Sequence, residues 1–136
     1  MNKDRGSALV ITLLLLLILT AIGIYAISVS VGEIDVTLQS KVATVTLNAA
    51  EAGTYVGIDQ IPNLVTAFSG TLSNSTSYTV TSLFTGNMSI LPGYGVNYRF
   101  ADFQVDSQGD APPQFVARRT ITAVTSYGPV PIGTMY

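Results

Sequence analysis

The first third of the chain is dominated by one uninterrupted apolar segment. Residues 8–27 read ALVITLLLLLILTAIGIYAI, and no charged residue occurs between Gly6 and Gly32. At 1.5 Å per residue, twenty residues form roughly 30 Å of helix, which is the thickness of the hydrocarbon core of a bilayer. We therefore predict a transmembrane helix over about residues 8–27. A secretory signal peptide is the alternative, but its apolar core is shorter and ends at a small-residue cleavage site, which is not evident here.

Beyond this segment, apolar side chains continue at alternating steps of four and three residues, the spacing of one stripe along a helix. This predicts a single helix over residues 7–60, roughly 78 Å from Ser7 to Ile58, with its outer half presenting one apolar face. Residues 42–47 (VATVTL) are the weakest part of the prediction, because alternating valine and threonine also suit a strand. The stripe consists of Leu38, Val42, Val45, Ala49, Ala52 and Val56.

The pattern changes to that of strands and loops after residue 60. Residues 66–89 contain twelve Ser and Thr and no charge, a composition typical of extended or loop structure, with a short strand expected at residues 78–83. Residues 96–105 and 114–127 are rich in β-branched and aromatic side chains and predict two strands. Residues 106–113 (DSQGDAPP) contain Gly and Pro and predict the loop of a hairpin.

The apolar positions of the first of these strands change parity. Val96, Tyr98 and Phe100 share one face, whereas Phe103 and Val105 have the opposite parity. A bulge near Ala101 or Asp102 would reconcile the two halves of the strand.

Together these elements predict an α+β fold, with a long N-terminal helix packed against a small antiparallel sheet in residues 61–136. A domain of this size without a disulfide is marginally stable alone, so we expect the sheet to bury one face against the outer half of the helix. The tail at residues 127–136 is expected to close the domain by packing.

Composition and charge exclude several classes of function. The chain has no His, Cys or Trp, which excludes thiol nucleophiles, Cys/His zinc sites and imidazole acid–base chemistry. Six Lys and Arg residues cannot build the basic surface that nucleic-acid binding needs. Nothing in the sequence indicates a cofactor, and the lack of a convergent catalytic set argues against an enzyme. Lys3 and Arg5 precede the apolar segment, and Glu33 and Asp35 follow it, so the N-terminus is expected in the cytoplasm and the rest outside.

The N-terminal region resembles the PilX-type minor pilins of type IV pili. The resemblance covers about residues 4–52 and rests on an ordered set of features. These are RGSALVI at residues 5–11, the leucine run ending at Thr20, Gly23, and AAEA at residues 49–52.

This resemblance implies how the subunit is processed and with what it assembles. Residues 1–6 would form a cytoplasmic leader that a prepilin peptidase removes between Gly6 and Ser7. The mature helix would pack with other pilins, major and minor, in a filament core. Ser7 stands where most pilins have Phe or Met, which leaves N-methylation of the new terminus open.

Ile11 stands where most major pilins carry a Glu. In that family the carboxylate is thought to pair with the terminal amine of a neighbouring subunit. Because a carboxylate within hydrocarbon costs free energy, its presence there indicates a functional role. A subunit without it resembles the minor pilins and pseudopilins proposed to start or cap a filament. The alternative is that Ile11 is simply a favourable apolar residue in a membrane helix that never polymerises.

Three further groups are candidate contacts. Asp102, Asp106 and Asp110 recur every four residues and are a weak candidate for a Ca²⁺ site, although loop aspartates are usually solvated. Arg118 and Arg119 should lie on opposite faces of a strand, and one could pair with Asp102 or Glu51. Glu51 could instead contact a neighbouring subunit. Tyr25 is expected at the lipid interface.

The sequence therefore favours a minor pilin in the bacterial inner membrane, with a single span and assembly contacts made by Ile11, Glu51 and the stripe. Two alternatives stay open. A type II secretion pseudopilin would share the architecture, and only genomic neighbours would separate the two. An uncleaved, membrane-tethered adhesion or ligand-binding domain would instead retain residues 1–6.

Overall fold

The computed structural model describes residues 3–131, and the side chains of residues 7–130. One helix, α1 (Lys3–Asp59), is followed by four strands: β1 (Phe68–Thr71), β2 (Ser77–Ser89), β3 (Tyr98–Asp110) and β4 (Arg118–Pro131). This confirms the α+β fold of one long N-terminal helix packed with an antiparallel sheet. The chain divides into two compact units after Ser40, and each is described by itself.

The first unit is the N-terminal part of α1, and its side chains from Ser7 onwards are exposed. The hydroxyl groups in its apolar segment bond within the helix. Thr12 Oγ1 donates to the Leu9 carbonyl at 2.9 Å, and Thr20 Oγ1 donates to the Leu16 carbonyl at 2.7 Å. Both hydroxyl donors are therefore satisfied within the helix and can lie in an apolar environment. The helix over Ser7–Asp59 is long and apolar enough to cross a membrane, which is consistent with membrane anchoring.

The second unit contains the rest of α1 and the sheet, whose strands pair in chain order β1-β2-β3-β4, all antiparallel. Residues 42–47 lie within α1, so the strand alternative for VATVTL is wrong. Thr46 is fully buried in this segment, and its hydroxyl is paired there because Oγ1 donates to the Val42 carbonyl at 2.7 Å.

The strands differ from the sequence-based expectation in their extent. β1 was not predicted, and β2 continues past residue 83 to Ser89. The hairpin of β3 and β4 is confirmed, but its predicted loop is wrong in part, because β3 runs to Asp110 and only residues 111–117 connect the strands. Residues 106–110 lack bulky apolar side chains, yet Ser107 and Gly109 face inward, where only small residues fit.

Two irregularities interrupt the register of the sheet. The β3–β4 pairing shifts between Arg99 and Ala101, and the consecutive residues Phe100 and Ala101 are both buried. This confirms the predicted parity change, one residue earlier than expected. On β2, Phe84 pairs with Phe103 and Met88 with Ala101, so three β2 residues stand opposite one β3 residue.

The helix approaches the sheet through small residues. The buried positions of α1 are Thr46, Ala49, Ala50, Gly53, Thr54 and Gly57. A methyl group at Gly57 would lie 2.5 Å from Val105 Cγ1 and 2.7 Å from Val80 Cγ2, and both valines are fully buried. At Gly109 a methyl group would lie 2.6 Å from the Ala50 nitrogen. The absence of side chains at these positions therefore sets the distance between helix and sheet.

Candidate functional site

In the first unit, the candidate site residues lie on an open helix surface. Gly6 and Ser7, at the expected cleavage junction, are both in α1, and Ser7 is exposed. Ile11 is 55% exposed among exposed leucines. Leu38, the first residue of the predicted stripe, is also exposed, as is Tyr25. This part of α1 therefore leaves its apolar side chains available to lipid or to other helices.

In the second unit, the predicted stripe borders the contact with the sheet rather than forming its centre. Val42, Val45, Ala52 and Val56 are half-buried, and only Ala49 of the stripe is fully buried. The centre of the contact is one residue further along, which is a rotation of about 100° around the helix. It consists of Thr46, Ala50, Gly53 and Gly57.

The stripe is defined by hydrophobic residues, whereas the closest contact with the sheet is made by small residues beside it. Close packing of a helix on a sheet selects for small size, since a missing Cβ lets the two backbones approach. The signal was present as Gly53-x-x-x-Gly57, a spacing that places two glycines one turn apart on the same face.

The opposite side of this helix segment is open and was missed. It carries Leu47, Glu51, Tyr55 and Ile58, at steps of four, four and three residues, and we call it the outward face. Tyr55 is 74% exposed, and Glu51 is exposed and makes no ion pair among the described residues. Two aliphatic side chains and an aromatic ring around one carboxylate are available there to a neighbouring molecule.

The three candidate Ca²⁺ ligands do not converge. Asp102, Asp106 and Asp110 all lie on β3, and all point to the face of the sheet away from the helix. Four residues of strand separate each from the next by about 13 Å. Among the residues that the structure describes, no group of three His, Cys, Asp or Glu side chains could hold a metal ion.

Each of these carboxylates is instead bound by side chains that neighbour it on the same or an adjacent strand. Asp102 Oδ1 accepts hydrogen bonds from Ser89 Oγ at 3.0 Å and from Ser126 Oγ at 2.7 Å. Asp106 accepts from Thr122 Oγ1 at 2.6 Å and from Gln104 Nε2 at 2.8 Å. The outer surface of β3 is therefore a row of separately satisfied acids.

The predicted partners of the arginine pair are also wrong. Arg118 Nε donates to Asp110 Oδ1 at 2.7 Å, because the β3–β4 register places these two residues opposite each other. Arg119 points to the other face of β4 and is exposed. The Arg118–Asp110 pair is at the surface and is worth less than about 1 kcal/mol.

Comparison with known families confirms the predicted resemblance of the N-terminal segment to PilX-type minor pilins. Residues 5–54 match the family described as PilX N-terminal. No curated protein and no solved structure matches the chain. The family match ends inside α1, a few residues before the helix does.

Proposed function

We propose that this protein is a minor pilin of a type IV pilus, a structural subunit that initiates or caps filament assembly. The observation that carries the proposal is that the matched residues 5–54 lie in one continuous helix, Lys3–Asp59. That helix combines an exposed apolar surface in its first part with a close-packed sheet on its last part. An anchor joined to a folded outer domain is the architecture that a pilin needs.

The charge pattern supports a single membrane orientation. Lys3 and Arg5 precede the apolar segment, and the first charges after it are Glu33 and Asp35. The positive-inside bias then leaves the N-terminus in the cytoplasm and the sheet outside the inner membrane. A prepilin peptidase on the cytoplasmic side would cleave between Gly6 and Ser7.

Assembly would exchange one apolar environment for another. In the bilayer, the side chains of the first unit contact lipid, and on extraction they would contact the helices of other pilins. Ile11 provides no carboxylate to pair with a neighbour's terminal amine. This favours a position at an end of the filament, where one of the two helix contacts is not required.

The outward face of α1 is the second proposed assembly contact. Its exposed Leu47, Tyr55 and Ile58 lie on the side of the helix that the protein's own sheet does not cover. Other pilins, major or minor, are the proposed partners of this surface. Glu51 at its centre would select a neighbour that presents a positive charge or hydrogen-bond donors.

The processing step is tested by the mass of the protein isolated from membranes of cells with an active prepilin peptidase. We expect the wild-type chain to have lost residues 1–6. A Gly6→Ala variant should keep them, because the peptidase recognises the glycine before the cleaved bond.

Gly23→Ala is the matched control for this experiment. Gly23 is also a helix glycine, and a methyl group there would have no atom within 4 Å, so this variant should be cleaved as the wild type is. An uncleaved wild-type chain would contradict the proposal and favour the membrane-tethered binding domain instead.

A further inference from the structure

The inner face of the sheet extends past the end of α1, and the part that α1 does not cover borders an apolar cavity. The last buried residue of the helix is Gly57, which lies against Val80 and Val105. Beyond the helix, Pro62 and Leu64 line a cavity together with residues of the sheet. This cavity has a volume of about 400 Å³, within the range of 300–1,000 Å³ typical of small-molecule sites.

The irregularity of β2 shapes this cavity. Residues 85–87 bulge out opposite Asp102, and Thr85 Oγ1 donates to the Asp102 carbonyl at 2.8 Å. Gly86 turns the chain with a φ of +80°, a conformation that other residues rarely adopt. The bulge places Phe84 and Met88 opposite Phe103 and Ala101, which are two residues apart on β3, and Phe84, Gly86 and Met88 all line the cavity.

The walls of the cavity are apolar and rich in π-systems. Phe84, Phe103 and Tyr127 contribute three aromatic rings, Met88 contributes a thioether, and Ala101 adds a methyl group. The rings of Phe84 and Phe103 lie 5.4 Å apart at 49°, an arrangement that aromatic pairs favour. Tyr127 has the only polar side chain among the lining residues, and none of them is charged.

We propose that this cavity binds a small, uncharged aromatic molecule. An aromatic ring would contact the three rings in edge or offset geometry and the sulfur of Met88 at its edge, and each such contact adds to the burial of apolar area. A charged ligand is disfavoured, because these walls offer no group to compensate for its lost hydration. The site goes beyond the assembly role and lies wholly within the second unit.

The test follows the methyl group of Met88 by NMR in the full-length protein in detergent micelles, with indole as the probe. Of the three methionines in the chain, Met88 is the one whose side chain the structure describes, and it lines the cavity. We expect a saturable change in the Met88 methyl shift as indole is added. Indole that only partitions into the micelle would instead give a small shift that changes linearly with indole concentration.

Two alanines on the inner face provide a matched pair of variants. Ala101→Leu places a larger side chain in the cavity, and we expect indole affinity to fall at least about tenfold. Ala123→Leu adds the same atoms on β4 at a half-buried residue outside the lining, and its affinity should stay within about twofold of the wild type.

A third variant covers the case in which Ala101→Leu disturbs the fold. Leu64→Ala changes an exposed lining residue outside the strands, and it should weaken indole binding several-fold while the methyl spectrum otherwise stays that of the native protein. The proposal is overturned if the Met88 shift changes linearly with indole concentration and does not saturate. It is also overturned if saturable binding persists unchanged in both Ala101→Leu and Leu64→Ala.

Discussion

Two fully buried hydroxyl groups in the second unit, those of Thr76 and Ser107, differ in their hydrogen bonding. Thr76 Oγ1 donates to Asn74 Oδ1 at 2.6 Å, in a turn that the same carboxamide oxygen also closes by accepting from the Thr76 nitrogen at 3.1 Å. Ser107 Oγ faces Gly53 of the helix and has no hydrogen-bond partner among the residues that the structure describes. A buried hydroxyl contributes to stability only when it is paired, so these two residues should respond differently to its removal.

We expect Ser107→Ala to raise the free energy of unfolding by about 1 kcal/mol, because it removes an unpaired polar group from the helix–sheet contact. The matched variant Thr76→Val should lower it by about 1 kcal/mol, because it removes a paired group. Denaturant unfolding of the full-length protein in micelles, followed by tyrosine fluorescence, measures both. Destabilisation by Ser107→Ala would show that its hydroxyl is paired after all.

At the scale of elements, the contact between α1 and the sheet depends on missing side chains. In an exposed helix, replacing Gly by Ala stabilises by about 1 kcal/mol. At Gly57 the new methyl group would lie within 2.7 Å of two buried valines, and overpacking of this kind costs about 1–3 kcal/mol. The steric cost should outweigh the gain in helix propensity, because both valines are fully buried.

We therefore expect Gly57→Ala to lower the free energy of unfolding by about 1–2 kcal/mol, and the same denaturation experiment measures it. Gly32→Ala is the control, since a methyl group there has no atom within 4 Å, and it should not destabilise the second unit. Equal effects of the two substitutions would mean that the helix moves away from the sheet at little cost.

At the scale of the whole molecule, the asymmetry of charge around the apolar segment predicts the membrane orientation. The chain has no cysteine, so a single introduced cysteine reports its own side of the membrane. Val116, in the connection between β3 and β4, is fully exposed and belongs to the domain expected outside.

We expect Val116→Cys to react with a membrane-impermeant maleimide in intact spheroplasts. Asn2→Cys, made in the uncleaved Gly6→Ala background, should react only after detergent is added, because the positive-inside bias keeps this end in the cytoplasm. Labelling of Asn2→Cys in intact spheroplasts would reverse the proposed topology.

Local sequence patterns predicted much of this fold, and particular residues show where they did not. The leucine run and the stripe beyond it predicted one helix, since their periodicity is a local property of the chain. The changed parity of the apolar residues in 96–105 likewise predicted an irregularity near Ala101, although the extra residue is on β4, opposite Phe100, and not on β3. Residues 106–110 were predicted as a loop because aspartate and glycine favour turns, but pairing with strands on both sides holds them in β3.

The sequence by itself determined the apolar segment, the likeness to PilX-type pilins, the class of fold and the hairpin. Each of these follows from the order and spacing of neighbouring residues. Only the tertiary structure decided which helix face meets the sheet, which acid pairs with Arg118, and that Phe84, Met88, Phe103 and Tyr127 enclose one cavity. These features depend on strand register and on the space left by small residues, and both arise between segments that are distant in the chain.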